Sequence, residues 1–340
     1  MQIEAVDLFC GVGGLTAGLI KSGIKVKAGY DIAKECHFAY EYNNKATFVN
    51  KDVAEVTASE ISSWYSEGSI RLLAGCAPCQ PFSTYNQGKD TTKDKKWPLL
   101  YHFSRLIKEV EPELVTMENV PEVIKHKVYQ DFISELKELG YEVFAKEVIC
   151  VQYGIPQTRK RHVVLASRIG NIELIPPSHD KPITVQDVIG ELEPIKAGKG
   201  LKNDPLHKSA NLSELNLRRI KYSVPGGTWR DWPESLRAEC HKKESGKSYP
   251  SVYGRMEWNK PAPTMTTLCY GYGNGRFGHP EQNRGISLRE AALFQTFPSD
   301  YQFTKTPKEI NFKGVGRMIG NAVPVRLGEI VGLSFMQIVQ

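Results

Sequence analysis

The first half of the chain alternates short apolar runs, rich in β-branched residues, with longer segments whose apolar positions recur at helical spacing. The short runs predict strands over 5–9, 25–30, 72–75, 114–118 and 143–148, with further apolar runs over 47–49 and 162–167. The amphipathic segments predict helices over 14–22, 33–42, 103–110 and 130–139. Strands that alternate with helices form a mostly parallel sheet covered on both faces, so the pattern predicts a doubly wound α/β fold.

This regular pattern weakens after about residue 168. Residues 171–275 are rich in proline, glycine, lysine, asparagine and tryptophan, and their periodicity is poor. A disordered linker is the alternative, but five large aromatic residues supply core material for a smaller, irregular domain: Trp229, Trp232, Tyr249, Tyr253 and Trp258. Helical patterns return over 288–294 and 328–338. We therefore predict three parts: a catalytic and cofactor-binding domain over 1–170, a smaller domain over 171–275, and a return to the first domain over 276–340.

Composition narrows the setting of the protein. The chain has 340 residues, which at roughly 100–200 residues per domain suggests two domains. No apolar run approaches the roughly 20 residues that a membrane span requires. Residues 1–7 lack the basic and apolar pattern of a signal peptide, and the seven cysteines are scattered. We expect a cytoplasmic protein with free thiols. The net charge of +6 permits a polyanionic partner without requiring one.

The loop after the predicted strand over 72–75 carries a cysteine between rigid residues, in the stretch Pro78-Cys79-Gln80-Pro81-Phe82-Ser83. Ligands and chemistry in open α/β sheets lie at the carboxyl ends of the strands, so this loop exposes the Cys79 thiol to a cleft. Packing as a small hydrophobic residue is the alternative. Cys76 and Cys79 also have the spacing of a redox or zinc pair, but no second close pair of cysteines exists. Four lysines follow the loop, where they could bind phosphate or lie on a solvated surface: Lys89, Lys93, Lys95 and Lys96.

A glycine turn follows the first predicted strand. Gly11, Gly13 and Gly14 allow positive φ and close approach of a ligand, but their spacing differs from that of a nicotinamide-dinucleotide fingerprint. Asp31 ends the second strand about 20 residues later, where a doubly wound sheet places a ribose-binding carboxylate. A helix cap is its alternative role. Asp52 follows the apolar run over 47–49 and could accept from an adenine amino group or simply lie in a surface turn.

Six motifs together resemble the DNA (cytosine-5)-methyltransferase family, especially its compact bacterial members from restriction-modification systems. They span residues 7–325, nearly the whole chain, and their order and spacing make the resemblance specific. The motifs are Asp7-Leu8-Phe9-Cys10-Gly11-Val12-Gly13-Gly14, Pro78-Cys79-Gln80-Pro81-Phe82-Ser83, Glu118-Asn119-Val120, Gln157-Thr158-Arg159-Lys160-Arg161, Arg289-Glu290-Ala291-Ala292 and Gly320-Asn321-Ala322-Val323-Pro324.

The resemblance implies the fold of S-adenosylmethionine-dependent methyltransferases, with S-adenosylhomocysteine as product and no metal. Phe9 would stack on adenine, the turn over 11–14 would hold the amino-acid portion, and Asp31 would bind the ribose hydroxyls. Ile32 would lie against the adenine base, although many members have glutamate and a larger apolar residue at the positions of Asp31 and Ile32. The other residues implied to line the pocket are Asp52, Val53, Pro78, Leu99, Asn321 and Ala322.

For catalysis the resemblance implies that Cys79 adds to C6 of cytosine, which activates C5 toward the methyl group. Glu118 would hydrogen-bond to ring N3, and Arg161 would stabilise charge on the O2 side. Arg159 would orient Glu118. Taken singly, Glu118 would be a helix cap and the arginines a solvated turn. Residues 84–98, a polar loop that contains glycine, are predicted to form a lid over the flipped base.

The implied partner is double-stranded DNA, with residues 171–275 as the target-recognition domain. Arginine and lysine read base edges in the major groove, and the candidates are Arg218, Arg219, Arg230, Arg237, Lys242 and Lys243. We also expect a monomer and a cognate restriction endonuclease. The alternative substrate is transfer RNA, whose branch of the family carries a Cys-Phe-Thr signature that this chain lacks. A catalytically silent DNA-binding relative is a third alternative, which the presence of Cys79, Glu118 and Arg161 opposes.

Overall fold

The computed structural model describes residues 2–78, 98–246 and 248–339. It divides the chain into two compact units. The first unit contains Met1–Tyr153, Lys160–Ser178 and Val323–Gln340, and the second contains Gly154–Arg159 and His179–Ala322. The division into 1–170, 171–275 and 276–340 assigns a function to each part and stays a prediction.

The first unit is built on one seven-stranded sheet within the described residues. Its strands are β1 (Ile3–Leu8), β2 (Lys25–Asp31), β3 (Thr47–Asn50), β4 (Ile70–Gly75), β5 (Leu114–Asn119), β6 (Glu142–Ile149) and β7 (Lys160–Ser167). The α-helices of the whole described chain are α1 (Gly14–Lys21), α2 (His37–Asn44), α3 (Ala58–Ser62), α4 (Pro98–Val110), α5 (Lys127–Glu138), α6 (Val185–Ile189), α7 (Glu214–Tyr222), α8 (Glu239–Lys242), α9 (Leu288–Phe294), α10 (Phe312–Asn321) and α11 (Val325–Met336).

The strand order β3-β2-β1-β4-β5-β7-β6 reverses direction between β1 and β4. Strands β1 to β5 pair in parallel, whereas β7 is antiparallel to both of its neighbours. Leu8 pairs with both Tyr30 and Gly75, and Gly75 pairs with Met117. The carboxyl ends of β1, β2, β4 and β5 are therefore level, at the reversal point where open α/β sheets bind ligands.

Alternation along β1 determines what covers each face of the sheet. Val6 and Leu8 belong to the main hydrophobic core together with α4 and α5, where Phe103 and Phe132 stack with their ring centroids 5.7 Å apart. Asp7 points to the other face and contacts α1 through Thr16. Helices thus cover both faces, and the prediction of a doubly wound, mostly parallel α/β fold is confirmed.

The predicted elements of the first unit are present with shifted ends, and the short helix α3 is an addition that was not predicted. Helix α4 begins at Pro98, five residues before the predicted start at 103. Proline is well suited to the first helical turn, where its missing N–H would have no partner within the helix. Helix α2 begins at His37 because Lys34–Cys36 form a 3-10 turn.

Within its described residues, the second unit has short helices and isolated bridges instead of a sheet. Trp229, Trp232 and Leu236 form one small core, and Leu212, Ile220 and Tyr272 form another. The region therefore has cores of its own and is not a disordered linker. Tyr249, however, was expected in the core and is 53% exposed. The contact at this position is made by its backbone, since Trp229 Nε1 donates to the Tyr249 carbonyl at 3.0 Å.

Candidate active site

The glycine turn after β1 adopts a strained path. Phe9, Gly11 and Gly13 have φ angles of 59°, 51° and 85°, a region that favours glycine. A Cβ at Gly13 would lie 2.3 Å from Asn44 Nδ2, so this glycine is required by packing as well as by its φ. A Cβ at Gly11 would meet nothing within 4 Å. The turn is thus anchored on one side and open on the other.

The Asp31 carboxylate joins this turn to the end of β2. Its Oδ2 accepts from the Gly11 N–H and its Oδ1 from the Ala33 N–H, both at 2.8 Å. The following 3-10 helix has Ala33 as its N-cap and no side-chain cap, so the alternative role of Asp31 as helix cap is not observed. Burial raises the pKa of Asp31. Beside it, Ile32 is 71% exposed, an unusual state for an isoleucine.

The other predicted pocket residues of the first unit lie on neighbouring loops. Asp52 Oδ1 accepts from the Ala54 N–H at 3.0 Å and caps a short 3-10 helix, Val53–Glu55. The Val53 side chain is 2% exposed and belongs to the core. Pro78 and Leu99 are half-buried at the two sides of the undescribed stretch 79–97. Cys79 and nearly all of the predicted lid over 84–98 lie outside the described residues.

Glu118 at the end of β5 forms a close ion pair with Arg161 on β7. Glu118 Oε1 lies 2.7 Å from Arg161 Nε, and the two side chains are only 11% and 12% exposed. The contact lacks hydrogen-bond geometry, so Oε1 has no hydrogen-bond partner within the described chain. Arg161 is held in addition by the Lys160 carbonyl, to which its Nη1 donates at 2.7 Å. Arg161 therefore balances the charge of the carboxylate, and Glu118 Oε1 can still accept a hydrogen bond from a ligand.

Asn119, next to Glu118, fixes the loop that leads toward residue 79. Its Nδ2 donates to the Ala77 carbonyl at 3.1 Å, while its Oδ1 accepts from the Val120 N–H. Cys76 lies at the same edge of the sheet, and burial raises its thiol pKa, with the nearby charges of Glu118 and Asp7 adding to the effect. The Cys76 thiol is accordingly kept protonated.

Asp7 is a buried acid that sequence reasoning did not single out. Its Oδ2 accepts from Thr16 Oγ1 at 2.7 Å, and Thr16 Oγ1 lies 3.1 Å from the Tyr40 hydroxyl. Its Oδ1 has no hydrogen-bond partner in the described chain. Burial, with the charge of Asp31 adding to it, raises the pKa of Asp7 to about 7. The buried acid beneath the glycine turn thus titrates near neutral pH in the ligand-free protein.

Asp7→Asn should remove a pH-dependent loss of stability. The pKa rises from 3.8 unfolded to about 7 folded, so between these values only the unfolded chain ionises and the wild type loses stability as pH rises. At about 1.4 kcal/mol per pKa unit the loss reaches roughly 4 kcal/mol and is complete above pH ~7. In urea unfolding from pH 4 to 8, the free energy of unfolding of the variant should rise relative to that of the wild type by an amount of that order.

Asp187→Asn is the matched control. Asp187 is an exposed carboxylate in the capping box of α6, and its hydrogen bonds with Thr184 lower its pKa. This variant should lose stability relative to the wild type as pH rises through the carboxylate range, the opposite sign. A constant difference between Asp7→Asn and the wild type across the series would contradict the assignment.

The second unit holds the remaining predicted site residues. Arg159 is buried, and its Nη1 donates to the Met265 carbonyl at 3.0 Å. Asn321 Oδ1 accepts from Thr267 Oγ1 at 2.7 Å, and the Ala322 carbonyl accepts from Gln295 Nε2 at 2.8 Å. Within residues 2–78, 98–246 and 248–339, no three His, Cys, Asp or Glu side chains converge as metal ligands would. No helix of the described chain is long and apolar enough to cross a membrane.

Known proteins share this architecture. Residues 3–337 match the family model for C-5 cytosine-specific DNA methylases. The Type II methylase M.HgiDII of Herpetosiphon aurantiacus is 53% identical over 98% of this chain and 95% of its own length. The Type II methyltransferase M.Eco47II of Escherichia coli is 30% identical over 98% and 78%. A crystal structure of Spodoptera frugiperda DNMT2 superposes with a TM-score of 0.67 at 18% identity, covering 99% of both chains.

Proposed function

The chain belongs to the C-5 cytosine-specific DNA methylase family, and we propose that it methylates a flipped-out cytosine through a covalent bond between Cys79 and C6 of the base. As a family member it is a DNA cytosine-5 methyltransferase of the restriction-modification type, with DNA as its substrate. The proposal concerns the covalent route, the methyl donor and the residues that act.

The observation that carries the proposal is the buried pair of Glu118 and Arg161 at the sheet edge that also bears the glycine turn. Glu118 would hold a proton at ring N3, while Arg161 would stabilise the charge that develops on the O2 side. The thiolate of Cys79 adds to C6, and the ring becomes an enamine nucleophilic at C5. Positive neighbours increase the fraction of thiolate at neutral pH, and Arg161 is one source of positive charge.

The turn and its surroundings fit S-adenosylmethionine. Gly11 leaves space for a ligand beside the backbone, and each Asp31 oxygen accepts one N–H and retains a further acceptor position for ribose hydroxyls. Exposed Ile32 offers an apolar surface for adenine, with Phe9 on the turn itself. Asp52, Val53, Pro78, Leu99, Asn321 and Ala322 would complete the pocket. The bound donor supplies a methyl group on a sulfonium, and the product is S-adenosylhomocysteine.

The target base must leave the duplex, at a cost of a few kcal/mol, before it can reach the pocket. We propose that residues 84–98 close over it and that Arg159 helps to orient Glu118. Residues 171–275 would read the DNA sequence. We further propose a monomer that protects host DNA from a cognate endonuclease cutting at the same site.

The direct test is transfer of a radiolabelled methyl group from S-adenosylmethionine. We expect label in double-stranded DNA and none in transfer RNA, with the product at cytosine C5. An oligonucleotide containing 5-fluorocytosine at the target should trap a protein–DNA adduct, because fluorine blocks the final elimination at C5. Label in transfer RNA alone, or turnover without any trapped adduct, would refute the proposal.

A further inference from the structure

The six basic residues proposed to read DNA differ in what already holds them. Arg219 is 8% exposed, and its Nε donates to the Leu236 carbonyl at 2.8 Å. Its guanidinium also lies over the rings of Trp232 and Tyr253, 5.7 and 5.3 Å from their centroids. Arg219 therefore holds the small aromatic core together and cannot also reach a base.

Three others have partners within their own unit. Arg237 donates to the backbone carbonyls of Trp232 and Arg230. Lys242 pairs with Glu239 at 2.8 Å, and the Arg230 guanidinium lies 5.4 Å from the Trp229 ring centroid. These contacts are on the protein surface and individually weak, but each must be replaced before the side chain can bind DNA.

Arg218 on α7 and Lys243 are both exposed, and neither has an ion pair or hydrogen bond within the described ranges. Of the two, only Arg218 carries a planar guanidinium, whose rigid fork suits bidentate binding better than the single ammonium of a lysine. Leu215 and Tyr222, which flank Arg218 at helical spacings of three and four residues, are 42% and 55% exposed. Residues at these spacings lie on one side of a helix. The exposed stripe of Leu215, Arg218 and Tyr222 is here named the α7 face, and it presents a free guanidinium between two large apolar groups.

The helix that carries this face is firmly held. Ser213 caps its start, and Ile220 is fully buried on its opposite side. Arg255, itself 4% exposed, donates to the Ile220 and Ser223 carbonyls at the end of the helix. A rigid element of this kind positions a reading side chain more accurately than a loop does.

We infer that the α7 face lies against the DNA duplex and that Arg218 reads a guanine of the recognition sequence. Charge complementarity favours DNA over a protein partner: Arg218 and neighbouring exposed Lys221 have no acidic partner among the described residues, and Glu214 is the one acid on α7. Arginine matches guanine O6 and N7 bidentately in a major groove that admits a helix. Leu215 and Tyr222 supply apolar contact to thymine methyl groups or sugars. The inference rests on the proposed function, because it assumes methylation of specific DNA.

The test compares Arg218→Ala with wild type on a duplex library randomised around the wild-type site, read by bisulfite sequencing. At one position of the site, we expect the preference for a G·C pair over the other base pairs to fall by roughly 5- to 150-fold, which is the discrimination that one bidentate contact provides. The preferences at the other positions should not change. Arg168→Ala is the matched control. Arg168 is an exposed arginine that follows β7, beside the amino-terminal end of β5, and it pairs with Glu111 at 2.7 Å. Its loss should leave the recognised DNA sequence unchanged.

Lys221→Gln supplies a second, sequence-independent measurement. If Lys221 contacts a phosphate, the slope of log affinity against log salt should fall by about 0.9 for every DNA sequence. If Arg218→Ala discriminates between base pairs as well as the wild type does, the inference is overturned. It is also overturned if Tyr222→Ser changes the oligomeric state and leaves the methylation pattern intact, because the α7 face would then bind a second copy of the chain. Failure of the wild type to methylate any duplex would instead refute the proposed function.

Discussion

Replacing Cys79 with serine is expected to abolish DNA methylation, with a loss of roughly a thousand-fold or more. A thiol near its ordinary pKa forms some thiolate at neutral pH, whereas a serine hydroxyl remains protonated. Without addition at C6, cytosine C5 is too poor a nucleophile to take the methyl group. The measurement is methyl transfer to the cognate duplex at saturating S-adenosylmethionine, together with trapping on the 5-fluorocytosine duplex, where we expect an adduct with wild type and none with the variant.

Cys240→Ser is the control for this substitution. Cys240 is an exposed free thiol in the second unit, where a general effect of losing a cysteine would also be seen. Its replacement should leave the rate within a few-fold and the adduct intact. If Cys79→Ser still turned over within tenfold of wild type, or if it still formed the adduct, the covalent route would have to be abandoned.

The first unit was predictable to the extent that its signals are local. The glycine turn and Asp31 follow directly from strand ends and a spacing in sequence, and the structure joins them by a hydrogen bond from Gly11. The pairing of Glu118 with Arg161 depends on β7 lying antiparallel beside β5, which apolar runs alone do not reveal. Asp7, Thr16 and Tyr40 meet only after folding, so no local pattern indicated the buried acid.

The second unit was far less predictable, and α7 explains why. The sequence pattern predicts no helix over Glu214–Tyr222, because the residues there reverse the usual relation between polarity and burial. Arg219 is buried against aromatic rings, whereas Leu215 and Tyr222 are exposed. A helix whose arginine packs inside and whose leucine faces outward has little apolar periodicity. The same reversal that hides the helix from sequence analysis identifies its outer face as a surface for a partner.

The second large effect is expected for Glu118→Gln. Glutamine keeps the size of the side chain but cannot carry the ionisable proton, so methyl transfer should fall about 100- to 10,000-fold, the range for a general acid or base. Binding of S-adenosylmethionine should change little. Glu147→Gln is the matched control. Glu147 lies on β6, which pairs with β7, and it forms an ion pair with Lys160 at 3.0 Å but is 42% exposed, so its loss should alter the rate only a few-fold.

The catalytic loss in Glu118→Gln must be separated from a loss of stability, because Arg161 is only 12% exposed and would lose its ion pair. Removing one partner of a buried pair typically destabilises by a few kcal/mol. The double variant Glu118→Gln with Arg161→Gln removes both charges and should recover much of the lost stability in urea unfolding without recovering methyl transfer. If the double variant regained activity together with stability, neither Glu118 nor Arg161 would take part in the reaction, and the loss in Glu118→Gln would be an effect of stability alone. If Glu118→Gln alone methylated DNA at the wild-type rate, the carboxyl group would have no part in the reaction.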